Sequence, residues 1–583
     1  MITPAVVARS GSVTDPRWSP SGARIAWIAA FDGRADLVVA SADGSAPPVV
    51  VTADSAVGGG YAWASDDELV VAGANGALVL VRADGGIVRR LTRDGRAFGP
   101  AVSSRGEVAF ALERDDACEI AVVALDGGEW PRRRSHADYA WDPAWSPDGA
   151  RLAWHEWDLP DMPWDASRIV VGDDAGAAKV VAGGDGIGTG QPRFSPNGDR
   201  LAYISDASGW SIVWTADPEG GDPHPVLREA HEHAEPTWGA GQRSFAWSPD
   251  GGQIAWCRNE DGFGRLVIAA PGSRSARELS KGWHRGLDWS AAGIACVRSG
   301  AVTPSQVVVL AANGSGRHAI ARGPAGGFEA TPLVEPRAVT FKAGNATVFG
   351  LVYRPAGVSR PPLVAHLHGG PTGQATVDWN ARVQWLVQRG FAVLQPNYRG
   401  SAGYGRAYAQ ALAGEWGERD VSDAAAGIRH AIKEGWCDPE RVVLMGGSAG
   451  GFTALLVAAR HPDLVHGVVA LYPVTDLLEL AATTHRFESG YHLRLVGPLP
   501  GSADRYRSRS PIAVASQVRA PVLLLHGSAD RSVRPEQSAA LAAVLGDVEH
   551  HVYDGEGHGW RRAATVADEL ARLDVFFRRN GIL

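Results

Sequence analysis

Val443 to Phe452 reads VLMGGSAGGF, a single serine set among four glycines. An apolar run, RVVLM from Arg441, leads into it, and a helix-like run, GFTALLVAAR, leads out. Two readings compete: a flexible surface turn, or a nucleophile on a sharp strand-to-helix bend. With 72 glycines in 583 residues, a chance G-x-S-x-G is unsurprising. The rest of the chain has to supply the partners that chemistry would need.

A serine hydroxyl is a weak nucleophile and needs a base, and the base needs a third group to orient it. On an α/β-hydrolase sheet these follow the serine in the order Asp or Glu, then His. Asp530 ends the apolar run PVLLLHGSAD, 82 residues after Ser448, and His558 lies in DGEGHGW, 28 residues further on. Ser448, His558 and Asp530 are therefore the expected nucleophile, base and orienting carboxylate. The backbone N–H of Ala449 is an expected oxyanion donor, because it follows the nucleophile. The Tyr398 hydroxyl in NYRGSAGYG, just past another strand-like run, is expected to be the second. Gly446 and Gly450 flank the serine where strand and helix backbones pass too closely for a side chain.

Around this stretch, apolar strand-like runs alternate with helical ones. PPLVAHLHGG, FAVLQPNYRG, RVVLMGGSAG, HGVVALYP and PVLLLHGSAD read as strands. WNARVQWLVQRG, GFTALLVAARHP and EQSAALAAVLG read as helices, as does VSDAAAGIRHAIKEG, expected to open on a Ser or Asp cap. This order predicts a mostly parallel sheet covered by helices on both faces.

The first half is built differently. DPRWSPSGARIAW from Asp15, DPAWSPDGARLAW from Asp142, QPRFSPNGDRLAY from Gln191 and FAWSPDGGQIAW from Phe245 are copies of one unit, with weaker copies from Tyr61, Gly99 and Gly286. The marker residues Trp18, Trp63, Val102, Trp145, Phe194, Trp247 and Trp289 are spaced by 45, 39, 43, 49, 53 and 42 residues. A period in the forties made of short strands predicts propeller blades, seven by this count. Ser-Pro-Asp-Gly is turn chemistry, and the aromatic before it is expected to pack between blades. The predicted fold is therefore two-domain: a seven-bladed β-propeller over residues 1–325 and an α/β-hydrolase domain over 326–583. A Gly- and Pro-rich linker is expected at 323–336.

Composition narrows the function classes. A net charge of −8 leaves no basic footprint for nucleic acid, and no apolar stretch reaches membrane-span length. The start, MITPAVVARSGSV, lacks a signal-peptide pattern. Cys118, Cys257, Cys296 and Cys437 are too scattered for a disulfide frame or zinc site, which predicts a reducing, cytoplasmic setting with no metal or organic cofactor. His368 is expected to shape the loop beside the oxyanion site, and His366, His526, His550 and His551 to be packing or surface residues.

LHGGP from Leu367, NYRGSAGYG from Asn397, GGSAGG from Gly446, HGSAD from His526 and GEGHGW from Gly555 together resemble the prolyl oligopeptidase family of serine peptidases. The resemblance covers the whole chain and is strongest to the acylaminoacyl-peptidase and bacterial aminopeptidase branch. It implies a propeller capping a hydrolase domain, Ser448, Asp530 and His558 as the triad, Tyr398 as an oxyanion donor, and short peptides or small amides as substrates. Two positions depart from the family pattern: Ala449 is small, which opens the S1 side, and Ser532 is shorter than the Asn some relatives place there to bind a substrate carbonyl.

A free peptide N-terminus is a cation and calls for a carboxylate. Glu232 or Glu235, in the segment EAHEHAEPTWGAGQRSF that interrupts the repeat, is the expected anchor. Phe452, Val474 and Leu477 are the expected apolar wall for the P1 side chain, and Val533 is a further expected substrate-binding residue. The preferred reading is a serine exopeptidase, of aminopeptidase or acylaminoacyl-peptidase type. One alternative is an esterase or amidase acting on an aminoacylated small molecule; another is a propeller-based binding protein with an inactive hydrolase domain. The sheet also offers a strand edge suited to pairing subunits in a homo-oligomer.

Overall fold

A computed structural model describes residues 2–52, 56–114, 117–127, 132–135, 137–173, 176–328 and 331–583. The turn chemistry of the repeat determines the first half. At Ser146-Pro147-Asp148-Gly149 the Ser146 N–H donates to the Arg151 carbonyl at 2.8 Å, closing a hairpin. The Ser146 hydroxyl donates to Asp148 at 2.6 Å, and Gly149 adopts φ +69°. The copy at Ser248 to Gly251 repeats this, with Ser248 on Asp250 at 2.6 Å and Gly251 at φ +72°. Only glycine takes such a φ without strain. The marker tryptophans join neighbouring units. The indole N–H of Trp63 donates to the Arg17 carbonyl (3.0 Å), that of Trp145 to Ala101 (3.2 Å) and that of Trp247 to Arg193 (3.2 Å). Trp18 donates to Gly293 at 3.0 Å, which ties the first unit to the last and closes the ring.

The expectation of seven separate blades needs correction. Five sheets of four strands stand alone, while the strands from Arg96 to Gly184 form a single eight-stranded sheet. The cause is local: Cys118 pairs in parallel with Tyr139 and joins two antiparallel sets that are otherwise adjacent.

The second half is an eight-stranded sheet. Its strands are β1 (Arg337–Ala343), β2 (Ala346–Tyr353), β3 (Leu363–Leu367), β4 (Ala392–Asn397), β5 (Val442–Gly447), β6 (Gly467–Leu471), β7 (Val522–Gly527) and β8 (Val548–Tyr553). Their spatial order is β1-β2-β4-β3-β5-β6-β7-β8, parallel from β4 onward. The central strands are fully buried, as their unbroken apolar runs require. Helices cover both faces. The helix Arg419–Lys433 begins earlier than its expected cap, and Ser422 and Asp423 lie inside it. Asp423 is buried and instead binds the Arg399 guanidinium at 2.6 Å, holding the loop after β4.

The chain enters this second core before it enters the propeller. A short helix, Pro4–Ala8, caps on Thr3, and Ile2 and Val7 are buried with Leu570, Phe576 and Phe577. The first residues of the 1–325 span thus pack with the hydrolase core and not with the blades. Gly11 donates to the Pro324 carbonyl at 2.8 Å, so the outgoing and returning chains cross between the domains side by side. Of the expected linker, residues 329 and 330 lie outside the described residues.

Polar contacts hold the two halves face to face. Arg406 pairs with Asp206, Arg494 with Asp165 at 2.9 Å, Arg486 with Asp138 at 2.8 Å, and Arg285 with Asp378. Among the described residues, no helix is long and apolar enough to cross a membrane.

Candidate active site

Strand β5 ends at Gly447 and the helix Ala449–Arg460 begins two residues later, leaving Ser448 alone in the bend. Its backbone is held at φ 55°, ψ −125°, strained for a residue with a side chain. The glycines explain why the bend closes. A Cβ on Gly446 would stand 2.4 Å from the Gly450 backbone, and one on Gly450 would stand 2.2 Å from the Leu367 carbonyl. The Ser448 N–H donates to the Leu471 carbonyl of β6 at 3.0 Å, pinning the turn to the sheet.

Asp530, beyond the end of β7, is 2% exposed. His558 Nδ1 lies 2.7 Å from Asp530 Oδ2, and the N–H groups of Ser532 and Val533 donate to Oδ1 at 2.9 and 3.0 Å. Burial pushes this carboxyl up, but hydrogen bonds from His526 and His558 and from the Val533 N–H outweigh burial and hold it well below the usual carboxylate range. It is therefore ionised at any working pH, and His558 donates to it through Nδ1, leaving Nε2 as the basic nitrogen. The ring of His558 rests edge-on against Tyr472, centroids 4.7 Å apart.

Ser448 and His558 face one cavity of about 1000 Å³ between the two domains. No hydrogen bond joins them among the described residues. A base and nucleophile often close up only when substrate arrives. A smaller apolar pocket opens from the same serine, lined by Trp416, Val474, Leu480, Leu495 and Val533.

The expected oxyanion donors divide. Ala449 lines the small pocket beside Ser448, and its N–H makes no intrachain bond among the described residues. Tyr398 needs correction. It is fully buried, its hydroxyl donates to the His368 carbonyl at 2.9 Å, and its ring stacks on His368 at 4.3 Å. It stands behind the loop and not in the cavity. The loop itself supplies the wall: Gly369 and Gly370 line the cavity, and a Cβ on Gly369 would be 3.6 Å from that of Ser448. His368 shapes this turn, with Nε2 2.8 Å from Ser401 Oγ.

The expected substrate contacts also divide. Val474 and Val533 line the small pocket. Phe452 and Leu477 are fully buried behind it, Phe452 backing Trp416 at 4.5 Å. Ser532 contributes its N–H to Asp530 and does not line the cavity. Glu232 and Glu235 do line the cavity, yet both are already engaged. Glu235 makes a two-pronged pair with Arg285 at 2.7 and 2.8 Å. Glu232 is 6% exposed and accepts the N–H groups of Gly403 and Gly405 at 2.8 and 3.1 Å, fastening the propeller to the hydrolase loop. Burial raises Glu232 to about 7.

Sequence reading missed Trp416, Leu480 and Leu495, which fold back from distant segments. His526, expected as a packing or surface residue, is fully buried, and its Nε2 also lies 3.3 Å from Asp530 and 3.0 Å from the Val533 carbonyl. Among the described residues no group of three or more His, Cys, Asp or Glu is placed to hold a metal ion.

Residues 377–581 match the model of the prolyl oligopeptidase family. Across its whole length the chain is similar to a puromycin hydrolase crystal structure: 29% identity, TM-score 0.90, covering 100% of this chain and 96% of that one. It is equally similar to a puromycin-hydrolyzing peptidase of Mycobacterium tuberculosis, at 27% identity, TM-score 0.90 and the same coverage. The acylamino-acid-releasing enzyme of Arabidopsis thaliana is 30% identical over 229 residues, 37% of this chain and 30% of that protein. The chain spans about a third of the length of the curated relatives it matches, 30–31% for the first of them.

Proposed function

We propose that the chain, whose residues 377–581 match the model of the prolyl oligopeptidase family, is a serine exopeptidase cleaving short peptides or aminoacyl amides through Ser448, His558 and Asp530. The observation that carries this reading is the 2.7 Å His558–Asp530 pair facing the same enclosed cavity as a serine on a strained elbow. His558 Nε2 takes the Ser448 proton as Oγ attacks the carbonyl, then returns it to the leaving amine. Water repeats the cycle on the acyl-enzyme. The N–H of Ala449 and an N–H of the Gly369–Gly370 turn receive the developing oxyanion, replacing Tyr398 in that role. Trp416 and its apolar neighbours take an uncharged P1 side chain. The propeller across the cavity admits short substrates and excludes folded proteins.

The decisive experiment is hydrolysis of Ala- and Phe-p-nitroanilide against their N-acetyl forms, with wild type and Ser448→Ala. Ser448-dependent cleavage of the free-amine set identifies an aminopeptidase, and of the N-acetyl set an acylaminoacyl-peptidase. Cleavage that survives Ser448→Ala would refute the proposal. A second reading, an amidase acting on an aminoacylated small molecule such as puromycin, is favoured by the whole-length likeness to puromycin hydrolase. Turnover of puromycin against Phe-p-nitroanilide separates the two.

Four further readings accompany this one. Counting the eight-stranded sheet as two joined blades gives seven, supported by seven consecutive four-stranded antiparallel sets. The division near residue 325 is retained, with the first residues assigned to the hydrolase unit. A cytoplasmic setting is supported by four buried free cysteines, and the edge strand β1 is the surface assigned to any self-association.

A further inference from the structure

On the exopeptidase reading, we propose that Glu488 binds the free α-ammonium group of the substrate's first residue and selects for unblocked N-termini. Glu488 lines the small apolar pocket together with Ser448, Ala449 and Gly370, and also the large cavity that holds His558. That position matters for geometry. In an aminopeptidase substrate the amine is two bonds from the scissile carbonyl carbon, about 2.5 Å away. Its anchor must therefore stand beside the nucleophile, which excludes a carboxylate across the cavity.

Charge accounting points to the same residue. Glu235 and Asp378 share Arg285, Asp15 pairs with Arg17 at 2.8 Å, and Glu232 is taken by two backbone N–H groups. Glu488 has no Arg or Lys partner among the described residues. Among the described residues, the polar side-chain contacts of its carboxylate are the Thr484 hydroxyl at 3.4 Å and the His485 ring at 3.8 Å. The small pocket it lines brings Trp416, Val474 and Leu480 together with Thr484, Tyr491 and His492. A charge pair formed there is stronger than one in water. An N-acylated substrate brings no cation, so it desolvates the carboxylate without compensation.

The propeller fixes Glu488 in place. Arg486 donates to the Asp138 carbonyl and carboxylate at 3.0 and 2.8 Å, and its guanidinium lies over Tyr139 at 4.6 Å. Phe487 stacks on Trp141 at 5.2 Å. Gly490 is pressed so close to the propeller that a Cβ would stand 2.3 Å from the Pro160 carbonyl. Neighbours on both sides of Glu488 are thus docked on the same blade region, so the specificity group belongs to the catalytic domain but is positioned by the other domain.

The test compares kcat/KM for Phe-p-nitroanilide with that for p-nitrophenyl butyrate, a neutral ester with no amine. In Glu488→Gln the anilide-to-ester ratio is expected to fall at least tenfold, with the loss mainly in KM. Glu488→Asp, still charged, keeps more of the ratio and serves if the Gln variant fails to fold. Phe487→Ala is expected to lower the ratio in the same direction by loosening the docked segment. A Gln variant whose ratio stays within twofold of wild type would overturn the proposal. So would a wild type that prefers the N-acetyl anilide, in which case the exopeptidase reading stands and this inference alone falls. A wild type that turns over the ester but neither anilide sinks the exopeptidase reading first, and this inference with it.

Discussion

Replacing Asp530 by Asn changes one atom and tests the logic of the site. In the structure Oδ1 accepts two backbone N–H groups, from Ser532 and Val533, at 2.9 and 3.0 Å. The Asn oxygen is therefore held at that position, and the amide NH₂ must face His558, where Oδ2 now accepts at 2.7 Å. A donor there turns the imidazole into the opposite tautomer, with the proton on Nε2, so it cannot take the Ser448 proton. Loss of about 10⁴ in kcat is expected, equivalent to about 5 kcal/mol in the barrier. The NH₂ also meets His526, whose Nε2 donates to the Val533 carbonyl, so a small drop in Tm is expected as well. The assay is Ser448-dependent anilide hydrolysis, with a thermal melt of each variant to report folding. An Asp530→Asn enzyme that folds and keeps kcat within tenfold of wild type would refute the claim that Asp530 acts by fixing the His558 tautomer.

Three further outcomes are expected. Tyr398→Phe should keep kcat within tenfold, because the hydroxyl serves the His368 carbonyl and not the oxyanion; a hundredfold loss, typical of a removed donor, would restore it to that role. Gly450→Ala should lower Tm by several degrees and abolish turnover, since its Cβ meets the Leu367 carbonyl at 2.2 Å and overpacking costs about 1–3 kcal/mol or more; unchanged melting would contradict the close approach. Glu232 is raised by burial to about 7, so its folded form holds a proton more tightly than the unfolded chain. Its contribution is complete below the ordinary carboxylate range and is lost as pH rises through 7, by at most about 3 kcal/mol. Wild type should therefore lose more Tm between pH 5 and 8 than Glu232→Gln does; parallel curves would remove Glu232 from the pH response.

What the sequence made legible was local. Ser-Pro-Asp-Gly turns, marker tryptophans and the glycine-flanked serine each encode their geometry within a few residues, and the structure uses them as read. The order of Ser448, Asp530 and His558 was legible because parallel sheets present strand ends in a fixed sequence. What stayed hidden depends on segments that meet only in three dimensions. Tyr398 follows a strand end as an oxyanion donor would, but nothing local says that its ring turns behind His368. Glu232 and Glu235 looked available because their partners, Gly403, Gly405 and Arg285, come from elsewhere in the chain. Glu488 gave no signal at all, because its position is set by Arg486 and Phe487 docking on residues near 140. The joining of two blades rests on one backbone pairing, Cys118 with Tyr139, that no residue pattern announces.

The central claim is that Ser448 is the nucleophile of a working triad. Its most direct test is treatment of the intact protein with a fluorophosphonate, followed by mass mapping of the adduct. A single adduct on the peptide containing Ser448, abolished in Ser448→Ala and strongly slowed in His558→Ala, is the predicted result. No adduct, or an adduct on another residue that persists in Ser448→Ala, would contradict the account.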